Sequence, residues 1–218
     1  MTLLTLSMPW PTLGILFPLS LGLFNFMATL VRINLVISGH RNGRSSPVPP
    51  AIVWLYAAAV SVMLLAPAPA MLRQLSFFLS LFLFRMTLTD ALTGLLPREM
   101  TVSCLTAGLA AALLHPGFTE HLLSAVFAML IFGGWRYGST KIHGRECLGL
   151  GDVWLAGAIA AWLGGTDGLY ALLTGVMFFV LWQLTVRRIS EGGPMGPWLC
   201  AGAMSVTLLK LYQPHITW

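Results

Sequence analysis

"CLGLGDVWLAGAIAAWLGG", residues 147–165, is an apolar run long enough to enter a membrane, and it carries Asp152 near its start, preceded by Gly149 and Gly151. Ionised groups are costly in such segments, so the reading of this stretch depends on the class of chain around it. Of the 218 residues, 57% are hydrophobic and only 9% charged. Soluble domains carry roughly 25% charged residues, so this chain cannot cover a water-facing surface. With a mean hydropathy of +0.82, it reads as a polytopic membrane protein. One integral membrane domain is expected over residues 1–218.

A spanning helix needs about 20 mostly apolar residues. Candidate spans run near 13–37, 51–69, 74–92, 100–115, 120–136, 150–165, 167–186 and 196–212. The expected fold is therefore all-α, a bundle of about eight transmembrane helices. Basic residues supply its orientation. Arg41 and Arg44 follow the first span, Arg98 the third, Arg136, Lys141 and Arg145 the fifth, and Arg187 and Arg188 the seventh. The alternate loops carry almost no basic charge, Arg73 excepted. By the positive-inside rule both termini lie on the non-cytoplasmic side. The opening "MTLLTLSMPW" has no positive charge, which argues against a secretory signal peptide with a basic n-region. "SGHRNGRSSPVPP", residues 38–50, is a short polar cytoplasmic loop, too short for a soluble domain. Small residues four apart, as at Ala156 and Ala160, suit close helix packing.

The net charge of +5 is explained by these loops. No basic cluster interleaves with exposed aromatics, so nucleic acid is not an expected partner; the bilayer is. Cys104, Cys147 and Cys200 form no CxxC pair, and the five histidines show no ligand spacing. No metal and no cofactor are expected.

Seven carboxylates remain. Glu99, Glu120, Glu146, Asp167 and Glu191 fall in loops and are explained by solvation. Asp90 closes "FFLSLFLFRMTLTD" at the cytoplasmic end of the third span, and Asp152 opens the sixth at its cytoplasmic end. An orientation derived from basic residues alone thus sets both aspartates at similar depth on one side. A carboxylate at the centre of a span costs roughly 2.5–3.5 kcal/mol, less near the interface, and such groups usually face the bundle interior or a cavity. Two facing aspartates cannot both ionise cheaply, so the pair shares a proton. One member then takes a proton from water while the other protonates a substrate carbonyl, which is the chemistry of an aspartic protease. Gly149 and Gly151 remove side chains where backbone or substrate must approach closely. Asp152 lies in the first turn of its helix, where the macrodipole favours negative charge. Thr87, one turn before Asp90, is placed to orient that carboxylate, and Arg85 is expected to snorkel to the interface.

Here the chain resembles the type IV prepilin peptidases, polytopic aspartic proteases that process type IV pilin and type II secretion pseudopilin precursors. The family's first motif is an aspartate followed seven residues later by proline, usually preceded by Ile or Leu; here it is "DALTGLLP", Asp90 to Leu96–Pro97. Its second is GxGD in a setting like ExxGxGDVKL; here it is "ECLGLGDVWL", Glu146 to Leu155. Its third, P-x-G-P-aromatic-L, is matched by "PMGPWL", with Pro194, Gly196 and Pro197. The resemblance implies that Asp90 and Asp152 are the catalytic pair. It implies that the substrate is a prepilin or pseudopilin precursor, cut on the cytoplasmic side after a glycine that precedes its hydrophobic helix. It places the protein in the bacterial inner membrane. Two departures matter. The usual lysine two residues after the second aspartate is Trp154, so an ionic role there is absent. Many relatives carry a large cytoplasmic loop with paired CxxC motifs after the first span, linked to N-methylation, which residues 38–50 lack. Peptidase activity alone is expected.

GLGD also resembles the presenilin and signal-peptide-peptidase group, but Thr89 precedes the first aspartate where that group has tyrosine, and "PAL" is missing. A transporter or proton-conducting protein is the alternative of a different class. It predicts ionisable residues along a path across the bilayer, whereas both aspartates fall at one side.

Overall fold

The computed structural model describes residues 10–37, 48–114, 117–144, 148–186 and 193–213, and every regular element among them is helical. A 3-10 turn, Trp10–Thr12, leads into α1 (Leu13–Ile37). Then follow α2 (Pro50–Leu65), α3 (Ala70–Thr93), α4 (Arg98–Ala112), α5 (Phe118–His143), α6 (Leu150–Leu163), α7 (Gly165–Val186) and α8 (Gly196–Tyr212). These are the helices of an all-α membrane bundle, one for each expected span. Trp10–Ile37, Ala70–Thr93, Phe118–Ile142 and Gly165–Val186 are long and apolar enough to cross a membrane.

Proline and glycine set the boundaries. Pro50 occupies the first turn of α2, where its missing N–H costs nothing. "APAPA", residues 66–70, ends α2 four residues earlier than expected and lets α3 begin four residues earlier. The largest difference is in α5, which passes the expected end at residue 136 and runs to His143. Arg136 and Lys141 are thus helical rather than looped, and the helix stops only where Gly144 takes a left-handed conformation, φ 67°. A glycine adopts that conformation without a β-carbon penalty. Gly164 ends α6 in a different positive-φ conformation, φ 74° and ψ −176°, which side chains likewise rarely adopt. Residues 38–47 of the polar loop lie outside the described residues.

The chain divides into two compact units, residues 1–88 with 207–218, and residues 89–206. In the first, Phe24, Tyr56 and Phe84 are fully enclosed and meet with ring centroids 4.7–5.9 Å apart. Polar groups in this core are paired within it. The Ser20 and Ser61 hydroxyls lie 2.8 Å apart, and Tyr56 lies 2.8 Å from the Thr87 hydroxyl. Buried Arg73 donates to the Leu64 carbonyl at the end of α2, where the helix dipole favours a cation.

The second unit is built around α6. Its buried residues include Val153, Leu155 to Ala161 and Leu163, and it packs on α4, α5 and α7. Its 14 residues rise about 21 Å, short of the roughly 30 Å hydrocarbon core. Neighbouring helices, rather than lipid, cover it. Small residues bring backbones together, since packing rather than hydrophobic transfer holds helices in lipid. A β-carbon at Gly157 would stand 2.9 Å from Met129 Sδ. One at Gly202 of α8 would stand 2.7 Å from Gly175 Cα of α7, and one at Gly175 would stand 2.7 Å from Leu199 Cα. Overpacking costs typically about 1–3 kcal/mol. Gly202→Leu is therefore expected to lower the thermal unfolding midpoint of the detergent-purified protein by roughly 4–10 °C. An unchanged midpoint would show that α7 and α8 do not meet there.

Candidate active site

Asp90 lies in the last turn of α3, and only 4% of it is exposed. The chain after it turns sharply. The Gly94 N–H donates to the Asp90 carbonyl at 2.7 Å, with Gly94 itself at φ 67°. The Thr93 hydroxyl lies 2.8 Å from the Thr89 carbonyl and accepts from the Leu95 N–H at 3.2 Å. Pro97 is the N-cap residue of α4, its carbonyl accepting from the Met100 N–H at 3.1 Å. The seven-residue interval between Asp90 and Pro97 is thus a helix end, a locked turn and a helix start.

Asp152 sits in the first turn of α6, behind Gly149 as N-cap residue. The Asp152 N–H donates to the Gly149 carbonyl at 3.2 Å, and the Gly149 N–H is directed back at the Asp152 carboxylate. This is one half of a capping box, in which the N3 carboxylate reaches back toward the N-cap amide. A β-carbon at Gly149 would stand 3.1 Å from Asp152 Oδ2.

Both aspartates belong to the second unit, and Asp152 lies near enough for its charge to act on Asp90. The third motif abuts Asp90. Pro194 is exposed, Met195 and Gly196 are buried, and Pro197 falls in the first turn of α8, where proline is tolerated. The Gly196 N–H is directed at the Asp90 carboxylate. A β-carbon at Gly196 would stand 2.5 Å from Asp90 Oδ2, so any larger residue would occupy space the carboxylate now fills. Asp90 Oδ2 has no hydrogen-bond partner among the described residues. Gly151 is closed by Leu96: a β-carbon there would stand 2.6 Å from Leu96 Cβ and 2.9 Å from its carbonyl oxygen.

One expectation lies beyond the described residues and one falls differently. Glu146 lies outside the described residues. Thr87, read from sequence as an orienting partner for Asp90, instead bonds Tyr56. One feature escaped sequence reasoning. The Arg98 guanidinium stands 5.2 Å from the centroid of the Trp154 ring, so a cation does lie beside that position, supplied by α4 rather than by residue 154. No group of three or more His, Cys, Asp or Glu side chains among the described residues is placed to hold a metal ion.

Residues 77–184 match the type IV leader peptidase family, and the matched segment contains both Asp90 and Asp152. A prepilin leader peptidase/N-methyltransferase of Dickeya chrysanthemi is 37% identical over 128 residues, covering 55% of this chain and 45% of the relative. One from Pectobacterium carotovorum is 31% identical over 135 residues, covering 56% and 47%. One from Escherichia coli K12 is 29% identical over 156 residues, covering 69% of each. The chain thus spans less than half the length of the first two relatives. No solved structure gives a significant match. With the two aspartates in one helical unit and inside the matched segment, the conclusion is that residues 77–184 of this chain are a type IV leader peptidase family domain.

Proposed function

We propose that the chain is an intramembrane aspartic endopeptidase that removes the leader from type IV prepilin-like or pseudopilin precursors. It cuts after a glycine at the cytoplasmic boundary of the bacterial inner membrane. What supports this reading is that Asp90 and Asp152 fall in one helical unit, near enough for charge at Asp152 to act on Asp90, with a buried Asp90 oxygen that has no hydrogen-bond partner among the described residues. The relatives named as prepilin leader peptidases support the substrate class.

The chemistry needs one proton shared by two carboxylates. The ionised member takes a proton from water, whose oxygen attacks the scissile carbonyl carbon. The protonated member gives its proton to the carbonyl oxygen, forming a tetrahedral diol. Collapse breaks the C–N bond: the departing nitrogen receives the proton that the base took from water, and a diol hydroxyl returns its proton to the other carboxylate as the carbonyl reforms. Water is thereby divided between the new carboxylate and the new amine, and the pair returns to its starting state. Gly149 and Gly196 hold the carboxylates through backbone donors, so no flexible side chain has to order before reaction. Co-expression with a prepilin-type precursor tests the reading. A shorter mature product is expected on a gel, and an unprocessed precursor would refute it.

We further propose that the activity stops at cleavage. The only cysteines are Cys104, Cys147 and Cys200, and residues 38–50 contain none. Mass spectrometry of the mature product is expected to find a free, unmethylated N-terminal amine. A methylated terminus made by this protein alone would contradict the single activity.

A further inference from the structure

We propose that Leu96 is the positioning residue that sets the separation of Asp90 and Asp152, an inference that rests on the aspartic reading above. Leu96 is where the three motifs meet. It follows Asp90 by six residues along the locked turn at Thr93 and Gly94. Its Cβ and carbonyl press on Gly151, the residue before Asp152, at 2.6 and 2.9 Å from where a β-carbon would stand. Its Cδ1 lies 3.1 Å from where a β-carbon on Gly196 would stand, and that same position is 2.5 Å from Asp90 Oδ2. One side chain is therefore wedged between the glycine that precedes one aspartate and the glycine that abuts the other.

Such distances are below ordinary contact for a real β-carbon, so neither glycine leaves slack for the wedge to shift. Close-packed interiors transmit displacement instead of absorbing it. The turn that carries Leu96 is anchored on both sides. On one, Gly94 is bonded back to Asp90; on the other, Arg98 begins α4 and stacks on Trp154, two residues beyond Asp152. Shortening Leu96 removes the atoms that reach Gly196 and lets the α6 start and the α8 start close on the space. The carboxylates then lose their register without losing their identity. A functional constellation must be held within about 0.5 Å, and a misplacement of about 1 Å costs on the order of 100-fold. Leu96 itself need not touch substrate.

The test uses the full-length protein in membranes with a prepilin-type precursor, comparing wild type, Leu96→Ala and Leu96→Met. Leu96→Ala is expected to lower kcat on the order of 100-fold with KM changed less than about 3-fold, because binding surface is intact and register is lost. Leu96→Met, which restores length and volume, is expected to recover most of the rate. If Leu96→Ala does not accumulate, Leu96→Val is read in its place. A Leu96→Ala enzyme with kcat within about 3-fold of wild type would overturn the proposal, as would a loss confined to KM, which would make Leu96 a substrate contact. Wild type that fails to process the precursor would overturn the aspartic reading and this inference together. Processing by wild type and by Leu96→Ala alike would overturn only this one.

Discussion

Asp90→Asn is expected to abolish leader removal, lowering the rate at least about 1,000-fold, while the protein still inserts and accumulates. The same loss is expected for Asp152→Asn. General acid–base groups contribute typically about 100- to 10,000-fold each, and members of a unit that act together fail together. Asparagine is nearly the same size as aspartate, so the packing around Asp90, which is 4% exposed, is preserved. What disappears is the group that takes or gives the proton. An amide at residue 90 leaves one carboxylate with no partner to share a proton, and the same holds at residue 152. Immunoblots of membranes, with precursor and mature product resolved on one gel, supply the readout. Because each substitution removes a charge from an apolar segment, insertion is expected to be undiminished, which separates lost chemistry from lost protein.

Gly196→Val is expected to lower processing at least about 100-fold, close to 2.7 kcal/mol in the barrier. The cause is steric and local. A β-carbon at this position falls 2.5 Å from Asp90 Oδ2 and 3.1 Å from Leu96 Cδ1. The Asp90 carboxylate has to rotate or withdraw, and the Gly196 N–H directed at it moves with the start of α8. Valine's branches add bulk on top of the β-carbon, so relaxation cannot restore both contacts. A precursor-processing time course checks this, with normal membrane levels expected. Gly196→Val processing at the wild-type rate would show that the third motif does not abut the first.

Much of this architecture was legible before any coordinates. The eight helices follow from apolar runs punctuated by proline and glycine, as at "APAPA" before α3 and Gly164 after α6. The aspartates stood out because a carboxylate in an apolar segment is anomalous, so Asp90 and Asp152 declared themselves by cost alone. The end of α5 was misjudged for a physical reason. Arg136 and Lys141 look like loop charges, yet a helix persists into water until a residue such as Gly144 stops it. Thr87 was read through helical spacing to Asp90, and spacing does not reveal that Tyr56, 31 residues away, takes its hydroxyl. Leu96 was visible only as the residue before Pro97 in the first motif; its contacts emerge when the backbone brings Gly151 and Gly196 against it. Arg98 and Trp154 likewise meet only through the packing of α4 on α6, where no spacing rule operates.

The central claim is that Asp90 and Asp152 jointly activate one water molecule. The most direct measurement incubates purified protein and a synthetic prepilin-type precursor in oxygen-18 water and reads both products by mass spectrometry. Wild type is predicted to make a single cut after the glycine, with the heavy oxygen in the leader's new carboxylate from the first turnover, and either asparagine variant is predicted to leave the precursor intact. Cleavage at that bond by the Asp90→Asn or the Asp152→Asn protein would contradict the account.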